Sequence, residues 1–269
     1  MPKRRIDALL AERGLVGSRT SAAESVRAGR VRIGRDGRRV EKPGQLVADD
    51  AELTVAAPPP YVSRGGVKLE NALDALQIDA GGLCCLDVGA STGGFTDCLL
   101  KHGAKRVIAL DVAAGQLDWG LRNDPRVEVI ERRNARDLRP DELPFAADLA
   151  TVDVSFISVA KVLAAVAGCV REDGELLLLV KPQFELGRER VGKGGVVRDP
   201  AARRDALRAA AGAAADAGLE VRGLASSGLP GPKGNRETFI HLGRTGSAPG
   251  AGRAQGEVDV EAAIAEVEP

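Results

Sequence analysis

Residues 84–96, CCLDVGASTGGFT, constrain this chain more than any other stretch. A short apolar run ends on an acid, turns through a glycine-rich loop and enters a helical pattern. That succession is a β-strand, a tight turn and a helix N-terminus, the geometry that brings backbone amides close to a nucleotide-like ligand. A second apolar run, Val107 to Leu110, ends at Asp111, twenty-two residues beyond Gly89, where an acid is placed to bind ribose hydroxyls. The glycine order is G-x-x-x-G-G rather than G-x-G-x-x-G. This disfavours a dinucleotide and favours S-adenosylmethionine, which carries ribose and adenine but no pyrophosphate. The alternative is a glycine-rich turn that holds no ligand.

The alternation continues on both sides of this unit. Strands are expected at 84–88, 106–110, 127–131, 148–152 and 175–180, near 219–225 and at 238–242. Helical stretches are expected at 67–76, 94–101, 116–122, 158–169 and from Pro200 to about Ala217. Such alternation builds an α/β, Rossmann-like domain, a mostly parallel sheet with helices on both faces. Residues 1–57 read as a separate small α/β unit. It has a helical stripe at Ile6, Leu9 and Leu10, a second helix capped by Ser18, and short strands at 31–33 and 52–55. Pro58, Pro59 and Pro60 form a stiff spacer. The expected organisation is therefore a small domain at 1–57, a linker at 58–63, the large domain at 64–244 and a flexible acidic tail at 245–269 with at most a short helix.

Net charge is zero, but its distribution is uneven. Residues 1–42 hold twelve Lys/Arg against five Asp/Glu, whereas residues 245–269 hold one Arg against five acids. A basic module that meets nucleic acid is the expected meaning. The aromatic content of 3% disfavours a multi-base stacking platform, so contacts should fall on phosphate and RNA shape. No apolar run reaches the ~18 residues of a membrane span and no leader pattern opens the chain, so a cytoplasmic location without membrane contact is expected. Cys84, Cys85, Cys98 and Cys169 lie in apolar segments with neither disulfide-framework nor zinc spacing, so no metal is expected.

In an open parallel sheet, ligands sit at the carboxyl ends of strands. Asp87, Asp153 and Lys181 fall at such ends, Lys68 lies on the helix before the first strand, and Glu237 stands just before the last. Each alone is explained as a surface charge at a strand end. For the cofactor, the amides of Gly89, Gly93 and Gly94 would approach the methionine part, with Ser91 and Thr92 as side-chain donors. Asp111 would take the ribose, and Asn134, with Asp137 as runner-up, the adenine. His102 and His241 have no metal partners and read as structural, and Trp119 as core or surface.

Taken together, Lys68, Asp153, Lys181 and Glu237 resemble the K-D-K-E tetrad of the FtsJ-like RNA 2′-O-methyltransferases. Residues 87–95, DVGASTGGF, look like that family's cofactor loop, which adds Asp87, Phe95 and Asp153 to the implied cofactor contacts. Residues 4–55 are similar to the ribosomal S-four RNA-binding module. YVSRGGVKL at 61, DVSFIS at 153, KPQFE at 181, GGVVRDP at 194 and GPKGNRE at 231 all resemble the TlyA (haemolysin A) family. One position departs: Pro59 stands where an arginine is often found. The resemblance implies S-adenosylmethionine-dependent methylation of a ribose 2′-hydroxyl, of a cytidine in 16S and/or 23S rRNA, within ribosomal subunits; the sequence leaves the oligomeric state open, with a monomer the first expectation. Lys181 is then base or principal orienter, Lys68 and Glu237 position it, and Asp153 lies between substrate and sulfonium. Arg4, Arg5, Arg19, Arg27, Arg30, Arg32 and Arg64 are the cations expected to meet RNA. The competing readings are a methyltransferase for protein or small molecules, a lytic protein, which needs an exposed apolar face or a membrane segment, and a non-catalytic ribosome-binding factor, which would tolerate loss of Lys181 and Glu237.

Overall fold

A computed structural model describes residues 2–246 and 258–269, and the chain forms two compact units, Met1–Pro60 and Tyr61–Pro269. The first unit runs β1 (Lys3–Arg5), α1 (Ile6–Glu12), α2 (Arg19–Arg27), β2 (Val31–Ile33), β3 (Arg38–Arg39), β4 (Leu46–Ala48) and β5 (Leu53–Val55). β1 pairs with β4, and β3, β2 and β5 form a second antiparallel sheet. Ser18 caps α2, its Oγ accepting from the Ser21 amide at 3.1 Å. Ile6, Leu9 and Leu10 pack with Ala22, Val26, Val31, Val40, Val47 and Leu53 in one small core.

The second unit runs α3 (Arg64–Ala75), β6 (Cys84–Val88), α4 (Gly94–Lys101), β7 (Arg106–Asp111), α5 (Trp119–Arg122), β8 (Val127–Glu131) and β9 (Ala147–Val152). It continues through α6 (Leu163–Gly168), β10 (Val170–Val180), α7 (Pro182–Glu185), α8 (Pro200–Asp216), β11 (Leu219–Ser226), β12 (Thr238–Arg244) and α9 (Val260–Val267). The sheet order is β11-β12-β10-β9-β6-β7-β8. All pairings from β10 to β8 are parallel, and β12 is antiparallel to both its neighbours. Helices cover both faces, so the buried strands need apolar residues on each side. Leu86, Val88, Ile108 and Leu110 join one core cluster, while Cys85, Val107 and Ala109 join the other. The chain leaves β6 towards β7 on one side and returns to β9 on the other. This reversal of strand order opens a crevice at the carboxyl ends of β6 and β9.

Three expectations need correction. Residues 61–63 belong to the second unit rather than to a linker. Tyr61 is buried and donates from its hydroxyl to Glu70 Oε1 at 2.9 Å, and Ser63 caps α3. The helices expected at 116–122 and 158–169 are shorter: α5 covers one turn, and a 3₁₀ turn, Val159–Lys161, precedes α6. Residues 247–257 of the expected tail lie outside the described residues; 260–267 form α9, the short helix allowed there, but it is packed against the domain and not frayed. Its Ile264 is fully buried, and Glu268, just past the helix, pairs with Arg203 of α8 at 2.7 Å. The acids that read as a solvated tail are thus partly satisfied by arginines far away in sequence. No helix among the described residues is long and apolar enough to cross a membrane.

Candidate active site

The crevice holds a cavity of about 670 Å³. Its walls come from the start of α3, the loop after β6, the loops after β9 and β10, and the approach to β12. All four members of the expected tetrad line it. Lys68 Nζ lies 2.5 Å from Glu237 Oε2, and both side chains are buried. Lys181 Nζ pairs with the Asp153 carboxylate and donates to Ser155 Oγ at 2.9 Å. The charges therefore meet as two cation–anion pairs, not as a pair of mutually repelling lysines. The sheet accounts for this: β9 and β10 are parallel neighbours, with Val152 opposite Leu178, so Asp153 and Lys181 emerge on the same edge. Gly231 allows the Glu237 approach, because a Cβ there would run into Oε1.

The loop after β6 is held by its neighbours. The Gly89 and Ala90 amides both donate to the Leu110 carbonyl, at 2.8 and 3.1 Å, and the Ser91 amide donates to Asp111 Oδ2 at 2.7 Å. Gly89 has φ +87°, and a Cβ would lie 2.5 Å from the Asp153 carbonyl oxygen. Glycine is required there by both conformation and space. Gly89, Ala90, Ser91, Thr92, Gly94 and Phe95 line the cavity.

Other residues expected at the cofactor are engaged in hydrogen bonds within the protein. Asp87 is completely buried and does not line the cavity. Its carboxylate accepts from Thr96 Oγ1 at 2.7 Å and from Thr151 Oγ1 at 3.3 Å, tying β6 to α4 and β9. Burial pushes its pKa up to about 7, with the Asp153 charge adding to the rise and the threonine hydrogen bonds opposing it. The Gly89 amide is not free for a ligand. Gly93 packs beneath Leu117 and Leu121. Asp111 braces Ser91 and, through Oδ1, the Ala113 amide at 2.7 Å, so it sits beside the loop and not in the cavity wall. Asn134 is exposed and caps the turn Ala135–Asp137, accepting from the Arg136 amide at 3.1 Å. Asp137 is also exposed, within that turn. Trp119 is exposed, His102 lies 3.5 Å from the Tyr61 hydroxyl, and His241 is buried beside Glu175.

The structure adds residues that the sequence did not single out. Phe156 is 88% exposed on the cavity wall, with φ +68°, and its ring lies 5.4 Å from that of Phe184. A phenylalanine in the left-handed region at such exposure is a strained presentation of an aromatic face. Ser155, Gln183 and Lys233 also line the cavity. The signal for Phe156 was available: an aromatic in the loop four residues past the end of β9, beside Asp153 and Ser155.

The expected RNA-facing arginines divide into two sets. Arg4 pairs with Glu12 and Asp49, and Arg5 and Arg19 with Asp7. The Arg5 guanidinium holds the Asp7 carboxyl below its ordinary range. Arg27, Arg30 and Arg32 make no ion pair among the described residues, nor do Arg38 and Arg39. Arg32 and Arg39 are direct cross-strand partners. Like charges placed opposite each other cost stability unless an anion neutralises them. In the second unit, Arg64 is exposed at the cavity rim, its Nη2 3.5 Å from the Pro230 carbonyl.

Comparison with known proteins follows this geometry. The profile of the FtsJ-like methyltransferase family matches residues 61–244, and that of the S4 domain matches residues 4–53. The chain is 50% identical over 240 residues to the 16S/23S rRNA (cytidine-2′-O)-methyltransferase TlyA of Mycobacterium tuberculosis, covering 88% of this chain and 89% of the relative. It is 40% identical over 242 residues to Hemolysin A of Brachyspira hyodysenteriae, covering 88% and 99%. A solved structure from Streptococcus thermophilus, described as a hemolysin candidate, superposes with a TM-score of 0.72 at 39% identity, covering 99% of this chain and 96% of that one.

Proposed function

The chain belongs to the FtsJ-like methyltransferase family, and from that membership and the geometry of the cleft we propose that it methylates the ribose 2′-hydroxyl of a cytidine in 16S and/or 23S ribosomal RNA. The observation that carries this reading is the meeting of Lys68–Glu237 and Lys181–Asp153 in one cavity beside the Gly89–Thr92 loop. The cavity falls within the ~300–1,000 Å³ of ordinary small-molecule sites, and its mix of loop backbone, hydroxyls and the Asp153 carboxylate suits S-adenosylmethionine. Gly94, Phe95, Ser91, Thr92 and Asp153 would hold it, with Asp111 keeping the loop in place. When bound, this cofactor supplies a methyl group already activated by its sulfonium.

The residues of the chain then align and discharge the acceptor oxygen. An ammonium carries three donors; at Lys181 one goes to Ser155 Oγ, and the Asp153 carboxylate lies beside the head group as an ion-pair partner that would take a second. The third is available to the 2′-oxygen, where it would orient the hydroxyl and stabilise the negative charge that grows as the proton leaves. Lys68, fixed by Glu237, would hold the ribose from the other side. Phe156 offers its face to a base, since stacking on one aromatic ring is worth roughly 1–3 kcal/mol. Arg64 and the unpaired arginines of the first unit would take phosphates. We assign the reaction to the cytoplasm, on ribosomal subunits. The test is incubation with methyl-labelled S-adenosylmethionine and separated ribosomal subunits, followed by nucleoside mass spectrometry. The expected product is 2′-O-methylcytidine, absent with Lys181→Met protein that still binds RNA. Wild-type turnover by that variant would overturn the assignment.

A further inference from the structure

Two loops carry most of the proposed chemistry, and the cavity alone does not hold them together. The loop after β9 bears Asp153, Ser155 and Phe156, and that after β10 bears Lys181, Gln183 and Phe184. They touch at three levels. At the cavity, Lys181 meets Asp153 and Ser155. One step out, the Phe156 and Phe184 rings are 5.4 Å apart. Behind them, Glu185 turns its carboxylate away from the cavity wall: Ser158 Oγ donates to Oε2 at 2.7 Å and the Val159 amide to Oε1 at 3.0 Å. Ser158 Oγ also accepts from the Ala160 amide at 3.3 Å, so one carboxylate closes the first turn of the Val159–Lys161 helix.

Glu185 makes no ion pair among the described residues, and burial pushes its pKa up. Half-burying a carboxylate against neutral donors is a poor way to fill space, since an apolar side chain avoids the desolvation cost. Such a choice is found where geometry matters more than stability. Phe156 lies two residues before Ser158 and is held at φ +68°, a conformation that persists only where the surroundings fix it.

We propose that Glu185 is a positioning residue for methyl transfer, its carboxylate clipping the loop after β9 to the loop after β10 so that Asp153, Phe156 and Lys181 keep one mutual geometry. The inference rests on the cleft being the methyl-transfer site. Glu185→Ala removes the clip. Glu185→Gln keeps it, because the amide oxygen accepts from Val159 and the amide nitrogen donates to Ser158 Oγ. With labelled cofactor and saturating ribosomal subunits, Glu185→Ala is expected to lower kcat by about 10²-fold, the scale of a 1 Å misalignment, with KM for the cofactor little changed. Glu185→Gln should recover most of kcat. Val166→Ala, which truncates a buried side chain in α6, serves as a control of reduced stability and should retain kcat. Wild-type kcat in Glu185→Ala, a Gln variant as impaired as the Ala variant, or an equal loss in Val166→Ala each overturns the clip. Lys181→Met separates this from the parent reading: if it is inactive while Glu185→Ala is not, only the clip falls, and if it too is fully active, the cleft assignment falls with it.

Discussion

Asp87 stands at the end of β6 with its side chain wholly enclosed, and its protonation is tied to folding. Its carboxyl is raised from 3.8 to about 7 by burial, so the folded chain holds a proton that the unfolded chain releases at lower pH. Stability from this group is therefore greatest below the unfolded pKa and declines as pH rises towards 7, by about 4 kcal/mol over the whole range. Asp87→Asn should remove that decline: in urea unfolding the variant gains on the wild type at pH 8 and loses the advantage near pH 5. An equal difference at both values would show that the carboxyl does not titrate there. At Gly89 the demand is steric. Gly89→Ala places a methyl 2.5 Å from the Asp153 carbonyl at φ +87°, and a loss of at least ~2 kcal/mol together with weakened cofactor affinity is expected by unfolding and by titration calorimetry.

At the scale of elements, the parallel ladder of β9 with β10 is what turns two distant charges into a pair, and the apolar runs that build those strands are plain in the sequence. Of the short strands only β2 and β5 were legible. β1 and β3 consist entirely of charged residues and β4 of three residues without alternation, and all three exist because the sheet partners supply their hydrogen bonds. α9, allowed for in the sequence only as a short helix in a frayed tail, packs through Val260, Ile264 and Val267 at helical spacing, and its ends pair with arginines of α8, partners that no local pattern reveals. Glu268 is 2% exposed and accepts from Arg203 Nε at 2.7 Å, while the Glu268 carbonyl accepts from Arg204 at 3.0 Å. Glu268→Ala leaves the Arg203 guanidinium enclosed without its carboxylate, and a loss of about 3 kcal/mol is expected in denaturant unfolding. A loss below ~0.5 kcal/mol would mean that the Glu268 carboxylate adds little to the apolar packing and backbone contacts that hold α9.

For the molecule as a whole, division of labour follows charge. The first unit concentrates arginines without carboxylate partners, and the second buries the four tetrad charges as two pairs. Arg27→Ala, Arg32→Ala and Arg39→Ala should each weaken RNA binding across sequences and reduce the slope of log K against log salt by about 1, whereas Arg5→Ala, whose charge is spent on Asp7, should change the slope less. Filter binding at several salt concentrations reads this directly. The linear order of residues by itself determined the two-unit plan, the parallel sheet and the glycine loop, because apolar period and turn chemistry are local properties, whereas the tetrad was picked out only by its resemblance to a family, each of its charges alone reading as a surface charge at a strand end. The structure alone decided which lysine pairs with which acid, that Asp87 ties β6 to its neighbours while Asp111 braces the loop, and that Phe156 faces outward. Those are matters of which strands lie side by side and which backbone amides are already taken, and only the assembled sheet fixes them.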